Sequence, residues 1–202
     1  MMLGTIYLVA ASATWGLLHS ILASHAAKDA IRRITGPIAF NRLYRFSYNF
    51  FALASFFPIL IMLQVYPDRP LYTIPSPWIY LTVVLQGLAT VIAIATLVQT
   101  DPFEFLGLKQ LTETFESKPP VLVTDGWYAR VRHPLYVTAF VLVWLTSEMT
   151  VNRLALYIVL TLYLWIGAYF EERKLLKDFG QAYADYKVRV PMFLPRFRKT
   201  GI

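Results

Sequence analysis

The stretch from Gly126 to Tyr136 carries the side chains best suited to chemistry in this sequence. It holds two arginines, one histidine, two tyrosines and one tryptophan, directly before an apolar segment. Cationic, imidazole and aromatic groups at a membrane boundary can hold a ligand that bears both charges and a ring. The stretch therefore predicts a binding site, although a basic cluster that only marks the cytosolic end of a helix is an alternative interpretation.

Two adjacent carboxylates, Glu171 and Glu172, follow directly after another apolar run. Carboxylates at such a position are costly unless water or a cation meets them. Either the helix has simply reached water, or the pair holds a cation, for which Arg130, Arg132 or a cationic ligand would serve. Because the chain between the two motifs reads as a short helical hairpin, we expect His133 and Glu171 to lie close together.

Further candidates are weaker. Arg45 and His19 are predicted as catalytic residues on the acceptor side, together with Arg42, on the basis of position alone. A haem site is disfavoured because His19 and His25 lie near one helix end instead of facing each other. No metal site is predicted: the chain has no cysteine, and phosphate-binding glycine loops and nucleophile elbows are absent.

The composition indicates a membrane protein. The 202 residues, read as one domain over 1–202, are 57% hydrophobic and 15% charged, whereas soluble domains are about half apolar and about one quarter charged. The net charge of +7 falls between apolar runs, which fits topology and anionic lipid better than nucleic acid. The first apolar run lacks the marks of a cleaved signal peptide, so we expect a retained helix.

Five apolar runs are predicted to span the membrane. A short interfacial helix within His25–Arg45, ended by Gly36-Pro37, and a charged tail that is helical from Glu171 to about Lys187 accompany them. The last two runs are shorter than the roughly 20 residues usually needed, and we interpret them as a tight hairpin. The predicted spans are Leu3–Ala23, Phe46–Tyr66, Trp78–Val98, Leu135–Ser147 and Leu154–Phe170.

The distribution of positive charge predicts the orientation. Seventeen lysines and arginines lie in alternate polar segments, whereas the two intervening loops carry only Arg69 and Arg153. Cytosolic segments carry the excess of such residues. The sequence therefore predicts an all-α, polytopic membrane helical bundle with five transmembrane helices, its N-terminus outside and its C-terminus cytosolic. Both motifs then face the cytosol, and the expected location is the bacterial inner membrane.

An ordered set of motifs resembles the integral-membrane methyltransferases, a group that includes isoprenylcysteine carboxyl, phospholipid and methanethiol S-methyltransferases. The likeness covers about residues 120–195. The motifs, in chain order, are Gly126-x-Tyr128, Arg132-His133-Pro134-x-Tyr136, Glu171-Glu172, Phe179-Gly180-x-x-Tyr183-x-x-Tyr186, Val190-Pro191 and Pro195. Arg-His-Pro alone would be weak, but the order and spacing of the whole set are specific.

The resemblance implies S-adenosylmethionine as the methyl donor, bound at the cytosolic side. The residues that it implies for the donor site are Leu122, Val123, Tyr128, Arg132, His133, Pro134, Tyr136, Glu171 and Glu172. These residue types suit the donor, because carboxylates match its ammonium group, Arg132 or His133 its carboxylate, and aromatic faces its adenine and sulfonium.

The methanethiol S-methyltransferase branch is the most similar, through the segment Asp101–Gln110 and the run Phe170–Arg173. Isoprenylcysteine enzymes typically place an arginine about one helical turn before the glutamate pair, where this chain has Gly167. A glycine cannot hold a substrate carboxylate there. We therefore expect a small thiol as the acceptor, in an apolar pocket lined by Trp165, Ile166 and Trp144 if these residues face inward.

Other functions stay open at this point. Methylation of an isoprenylcysteine carboxyl group or of a lipid is the alternative within the same family. A transporter, or a haem- or quinone-binding subunit, would explain the five spans but not the ordered motifs. A small thiol or lipophilic acceptor and membrane lipids are the expected partners, with no obligate protein partner evident.

Overall fold

The structure, a computed structural model, describes residues 2–112 and 121–195 and is built mainly from α-helices. A 3₁₀ helix covers Gly126–Ala129, and two short strands are β1 (Pro70–Thr73) and β2 (Glu148–Thr150). The α-helices of these ranges are α1 (Met2–Ala23), α2 (His25–Thr35), α3 (Pro37–Val65), α4 (Trp78–Gln99), α5 (Pro102–Leu106), α6 (Lys109–Thr112), α7 (Pro134–Trp144), α8 (Val151–Phe179) and α9 (Gln181–Arg189).

Four of the helices are long and apolar enough to cross a membrane: α1, α3, α4 and α8. This is the architecture of an integral membrane protein, as the composition predicts. The expected fourth span corresponds to α7, which has only 11 residues. Such a helix is roughly 16 Å long, about half the thickness of a bilayer core of about 30 Å. The count of five spans therefore stays a prediction.

The second spanning helix is longer than the sequence predicts, since α3 begins at Pro37 and not at Phe46. Proline suits the first position of a helix, where no backbone N–H is needed, and Gly36 with a φ of 81° separates it from α2. Arg42 and Arg45 thus belong to α3 and are exposed. Their long side chains can extend away from an apolar environment toward water.

The chain is mainly helical, as the sequence predicts, but β1 and β2 also form a short antiparallel pair that the sequence does not predict. Prolines on both sides of β1 exclude a helix there, and Tyr72 and Thr73 are residues that favour strands. The Asp68 carboxylate accepts a hydrogen bond from the backbone N–H of Asn152 at 3.0 Å. The start of α8 is therefore fastened to the loop after α3.

The described residues cluster into two compact units. The first contains those within Met1–Ile74, Asp101–Lys118 and Glu148–Tyr163. Its apolar core is formed by Leu8 of α1, Ile59 of α3 and Leu156 of α8, each at most 2% exposed. In this unit Gly107 has a φ of 83°, and a Cβ atom there would lie 2.4 Å from the backbone nitrogen of Phe46. Only glycine lets the loop after α5 approach α3 so closely.

The second unit contains the described residues within Pro75–Thr100, Pro119–Ser147 and Leu164–Ile202. In it α4 packs along α7 and also contacts the 3₁₀ helix. A second apolar core consists of Tyr183, Tyr186 and Val190, with Leu122 packed against it. The tail is helical as predicted, but it bends at Gly180, where a φ of 55° ends α8 and α9 begins.

Candidate functional site

His133 lies at the N-cap position of α7, immediately before Pro134, where the sequence predicts a turn residue with a fixed ring. Its backbone N–H donates to the carbonyl of Met192 at 3.2 Å, and that of Arg132 donates to Pro191 at 2.9 Å. The imidazole stacks on Tyr136, with ring centroids 5.2 Å apart and planes inclined by 16°. The ring is thus held by the C-terminal segment and by its own helix.

The aromatic environment of His133 extends further through the second unit. The ring of Phe193 lies 5.8 Å from the imidazole and 5.8 Å from the indole of Trp165. Phe140 meets Phe193 edge-on at 5.6 Å. These neighbouring aromatic rings offer faces against which a cationic or planar ligand can stack.

Arg132 and Glu172 form a buried ion pair. The guanidinium Nε and Nη2 atoms lie 2.6 and 2.5 Å from Glu172 Oε1, and both side chains are 9% exposed. Arg132 Nη1 also donates to the carbonyls of Val190 and Lys187, at 2.5 and 3.2 Å. The Lys187 ammonium reaches Glu172 Oε2 at 2.9 Å. This network fastens α9 and the chain after it to α8. Arg132 and Glu172 make their hydrogen bonds to groups of the protein itself and not to a ligand.

Glu171 has a different environment from its neighbour. Its side chain is 45% exposed, and Oε2 accepts a hydrogen bond from the Tyr136 hydroxyl at 2.8 Å. His133 Nδ1 lies 3.7 Å from the same oxygen, so the expected proximity of His133 and Glu171 is confirmed. Of the two adjacent carboxylates, Glu171 is the one that retains an accessible oxygen for a cationic ligand.

Tyrosine hydroxyls complete the polar part of this site. The Tyr186 hydroxyl donates to the Tyr128 carbonyl at 2.7 Å, while the buried Tyr183 hydroxyl has no hydrogen-bond partner among the described residues. Burial and the charge of Glu171 raise the pKa of Tyr128 to about 12. Burial likewise raises the pKa of Tyr183, and that of Tyr186 to about 12. All three tyrosines therefore stay neutral in the physiological range.

Burial lowers the pKa of His133 below its usual value, and the negative charges of Glu171 and Glu172 oppose this only in part. The imidazole is therefore neutral at pH 7. Its Nε2 lies 3.4 Å from Glu172 Oε1 but has no hydrogen-bond partner among the described residues. A neutral His133 acts in this site as an aromatic, hydrogen-bonding group and not as a cation.

This environment predicts a pH dependence of stability. The unfolded chain takes up a proton at the usual histidine pKa of about 6.5, whereas folded His133 resists protonation until the pH is lower. The free energy of unfolding should therefore fall as the pH drops through about 6.5, and His133→Asn should abolish that part of the loss. Denaturant titrations of both proteins between pH 5 and 8 check this. A difference between them that is constant over that range would contradict it.

The residues predicted for the donor site all lie in the second unit. Hydrogen bonds, the ion pair and ring stacking join five of them directly: Arg132, His133, Tyr136, Glu171 and Glu172. The others are a buried Pro134, a half-buried Val123, Leu122 on the tyrosine core, and Tyr128 held through Tyr186. Two participants were not predicted, Lys187 and Phe193. Both residues lie within three positions of the Val190-Pro191 motif, but the sequence alone does not show which side chains near that motif contact the site.

The residues predicted as catalytic lie in the first unit. His19 has a hydroxyl at each ring nitrogen: Tyr163 at 2.7 Å from Nδ1 and Tyr48 at 2.8 Å from Nε2. Its ring also stacks on Trp15, with centroids 5.1 Å apart. Arg45 donates to the Glu104 carbonyl at 3.0 Å, which fastens α5 to α3. Both side chains thus hold helices of the first unit together, and their catalytic role stays a prediction.

The expected acceptor pocket around Gly167 has a different form. No atom lies within 4 Å of the position that a Cβ on Gly167 would take, so the space there is open as predicted. Trp165 and Ile166, however, are 61% and 55% exposed, and Trp144 is 37% exposed. These side chains do not enclose a cavity, so the condition that they face inward is not met.

Comparison with known proteins gives the family. Methanethiol S-methyltransferase 2 of Bradyrhizobium diazoefficiens is 30% identical over 186 residues, which cover 90% of this chain and 70% of the relative. The chain belongs to the methanethiol S-methyltransferase family. A Pseudomonas methanethiol S-methyltransferase is 32% identical over 135 residues, or 65% of this chain. No family model matches the chain, and no solved structure matches it.

Methanethiol S-methyltransferases differ from this chain in length. The chain spans 52% of the Pseudomonas relative in the matched region, about half of that protein. A protein-S-isoprenylcysteine O-methyltransferase of Schizosaccharomyces pombe is 37% identical over 86 residues, or 39% of this chain. The predicted likeness to the methanethiol S-methyltransferase branch is confirmed by these relatives.

Proposed function

We propose that this protein is an integral-membrane methyltransferase that transfers a methyl group from S-adenosylmethionine to a small thiol such as methanethiol. The observation that carries the proposal is the half-exposed Glu171 carboxylate beside the stacked rings of His133 and Tyr136, in a member of the methanethiol S-methyltransferase family. When bound, the donor would supply an electrophilic methyl group on a positively charged sulfur.

The described residues fit such a donor. Glu171 would accept hydrogen bonds from the ammonium group, since one of its oxygens is held by Tyr136 and the side chain remains accessible. The rings of Tyr136, Phe193 and Trp165 suit a sulfonium or an adenine face. Neither the neutral His133 nor the internally paired Arg132 is a cation for the donor's carboxylate, so exposed Arg130 is the better candidate.

Glu172 and Arg132 would act on the site indirectly. Their ion pair positions the segment of residues 190–193. The carbonyls of this segment accept hydrogen bonds from the backbone N–H groups of Arg132 and His133, and it carries the ring of Phe193. Methyl transfer is an in-line displacement, so the protein must mainly hold the donor and the acceptor in the correct relative positions. The acceptor thiol must lose its proton to attack well, and the roles of Arg45 and His19 in this remain proposals.

Donor binding is the first test of the proposal. The purified protein in detergent micelles should bind S-adenosylmethionine, and its demethylated product should compete for the same site. Isothermal titration calorimetry measures both. A donor analogue without the amino group should bind more weakly, because Glu171 would lose its partner. No heat change and no competition at millimolar concentrations would contradict the proposal.

We further propose five membrane crossings, with α7 as a short fourth one, the N-terminus outside, and the site at the cytosolic face of a bacterial inner membrane. The charge asymmetry of seventeen to two supports this orientation. The carboxyl group of an isoprenylcysteine, or a lipid, is the second candidate acceptor, because a relative that matches 39% of this chain is named for isoprenylcysteine. No nucleic acid and no obligate protein partner enters this proposal.

The orientation predicts a labelling pattern that is simple to read, because the chain has no cysteine of its own. Leu71→Cys and Val188→Cys each place one thiol at an exposed position, 43% and 76% accessible in the native side chains. In intact cells a membrane-impermeant maleimide should modify the first and not the second. Lysed cells serve as the control, since both thiols should then react. Labelling of Val188→Cys alone in intact cells would reverse the orientation.

A further inference from the structure

Residues of α2 and α3 in the first unit line an apolar groove that contains no residue of the proposed donor site. Its volume is about 340 Å³, within the range of about 300–1,000 Å³ that is usual for ligand sites. The groove shares Thr35, Ala39 and Leu43 with an adjoining open cleft that is lined by Arg42. Its apolar lining includes Leu22, Ile31, Phe40, Leu43, Tyr44 and Phe51.

The surroundings of this groove are strongly basic. Four arginines lie between His25 and Arg45, and Asp29 is the single acidic residue of that segment. Arg45 is engaged by Glu104, but Arg32, Arg33 and Arg42 have no ion-pair partner among the described residues. Their guanidinium groups are exposed and available to an anion.

The helix α2 itself has the character of an interfacial helix. None of its residues is buried, and Ile34, next to two arginines, is 83% exposed. In α3, Ile38 is 75% exposed within one turn of Arg42. A segment that contacts acyl chains and phosphate groups at the same time needs exposed apolar side chains beside basic ones, and these isoleucines and arginines provide both.

We propose that the groove between α2 and α3 binds an anionic phospholipid. One acyl chain lies along the apolar lining, and the phosphate lies at Arg42 in the adjoining cleft. Charge complementarity selects this occupant, since an uncharged lipid would leave the unpaired arginines without a counter-ion and a soluble anion would leave the apolar lining uncovered. The residues that line the groove belong to the first unit, whereas those of the proposed donor site belong to the second.

Native mass spectrometry tests this with phosphatidylglycerol and phosphatidylcholine of equal chain length, titrated into the micellar protein. Phosphatidylglycerol should bind at least fivefold more tightly. Arg42→Gln should weaken that binding about fivefold, the effect of about 1 kcal/mol expected for one basic residue at a lipid surface. The matched control is Arg69→Gln, an exposed arginine beyond the far end of α3, which should change the affinity less than twofold.

A variant that fills the groove distinguishes lipid binding in the groove from binding to a basic surface alone. Ala39→Phe keeps every charge but occupies the space, and it should reduce phosphatidylglycerol binding at least fivefold with an unchanged helical circular dichroism spectrum. If that variant does not fold, Leu43→Ser at a position 51% exposed replaces an apolar lining residue by a polar one, and it should also weaken phosphatidylglycerol binding. Equal binding of the two lipids overturns the proposal. So does an unaltered affinity in a folded groove variant, or free glycerol phosphate that binds as tightly as the lipid.

Discussion

Replacing Arg132 by alanine should lower the free energy of unfolding by about 3–5 kcal/mol, because it leaves Glu172 charged and buried with one partner fewer. The carbonyls of Lys187 and Val190 lose their donor in the same step. Guanidinium titration of the micellar protein, followed by tryptophan fluorescence, measures the loss. Arg173→Ala is the matched control, since Arg173 follows Glu172 on α8, is exposed, and lies over the ring of Tyr169 with no ion-pair partner among the described residues.

A double variant distinguishes a broken ion pair from a general loss of packing. Arg132→Met combined with Glu172→Leu removes both charges and keeps most of the apolar volume. Buried ion pairs that are replaced as a whole often cost little, so the double variant should be more stable than Arg132→Ala by more than about 1 kcal/mol. A double variant that is no more stable than Arg132→Ala would show that the unpaired charge of Glu172 is not the cause of the lost stability.

The two adjacent glutamates should respond in opposite ways to the same substitution. Glu171→Gln should weaken S-adenosylmethionine binding by about ten- to a hundredfold, because a hydrogen bond to a charged group contributes about 1.5–3 kcal/mol. Its stability should hardly change, since the side chain is 45% exposed. Calorimetric titration gives the affinity and thermal unfolding gives the stability.

Glu172→Gln is the internal control for that experiment. It weakens the charge partner of Arg132 and Lys187, so the main effect should be a lowered unfolding temperature. If Glu171→Gln instead destabilises the protein while Glu172→Gln leaves stability unchanged, the assignment of the two carboxylates is reversed.

The sequence predicts the spanning helices because long apolar runs without charges have few alternatives in a membrane. The helix boundaries are less accurate. Gly36-Pro37 ends the short interfacial helix as predicted, since α2 ends at Thr35. The charged residues Arg42 and Arg45 placed the start of the second span at Phe46, whereas Pro37 already begins the long helix. Hydropathy does not distinguish a charged residue that ends a helix from one whose side chain extends away from it.

The candidate site shows a similar division. Closeness of His133 and Glu171 follows from the connectivity of a short hairpin, and the structure has it. Which of the two carboxylates is internal could not be predicted, because adjacent helical positions face about 100° apart and the orientation depends on α9. Likewise, the partners of His19 lie on α3 and α8, at separations of 29 and 144 residues that no local pattern shows.

The most direct test of the central claim is transfer of an isotopically labelled methyl group. The micellar protein is incubated with labelled S-adenosylmethionine and, separately, with methanethiol, a prenylcysteine and a phospholipid amine, and the products are identified by mass spectrometry. We predict labelled dimethyl sulfide as the main product, strongly reduced with Glu171→Gln. A labelled methyl ester on the prenylcysteine with no thioether from methanethiol would contradict the proposed acceptor, and no labelled product from any acceptor would contradict the methyltransferase function itself.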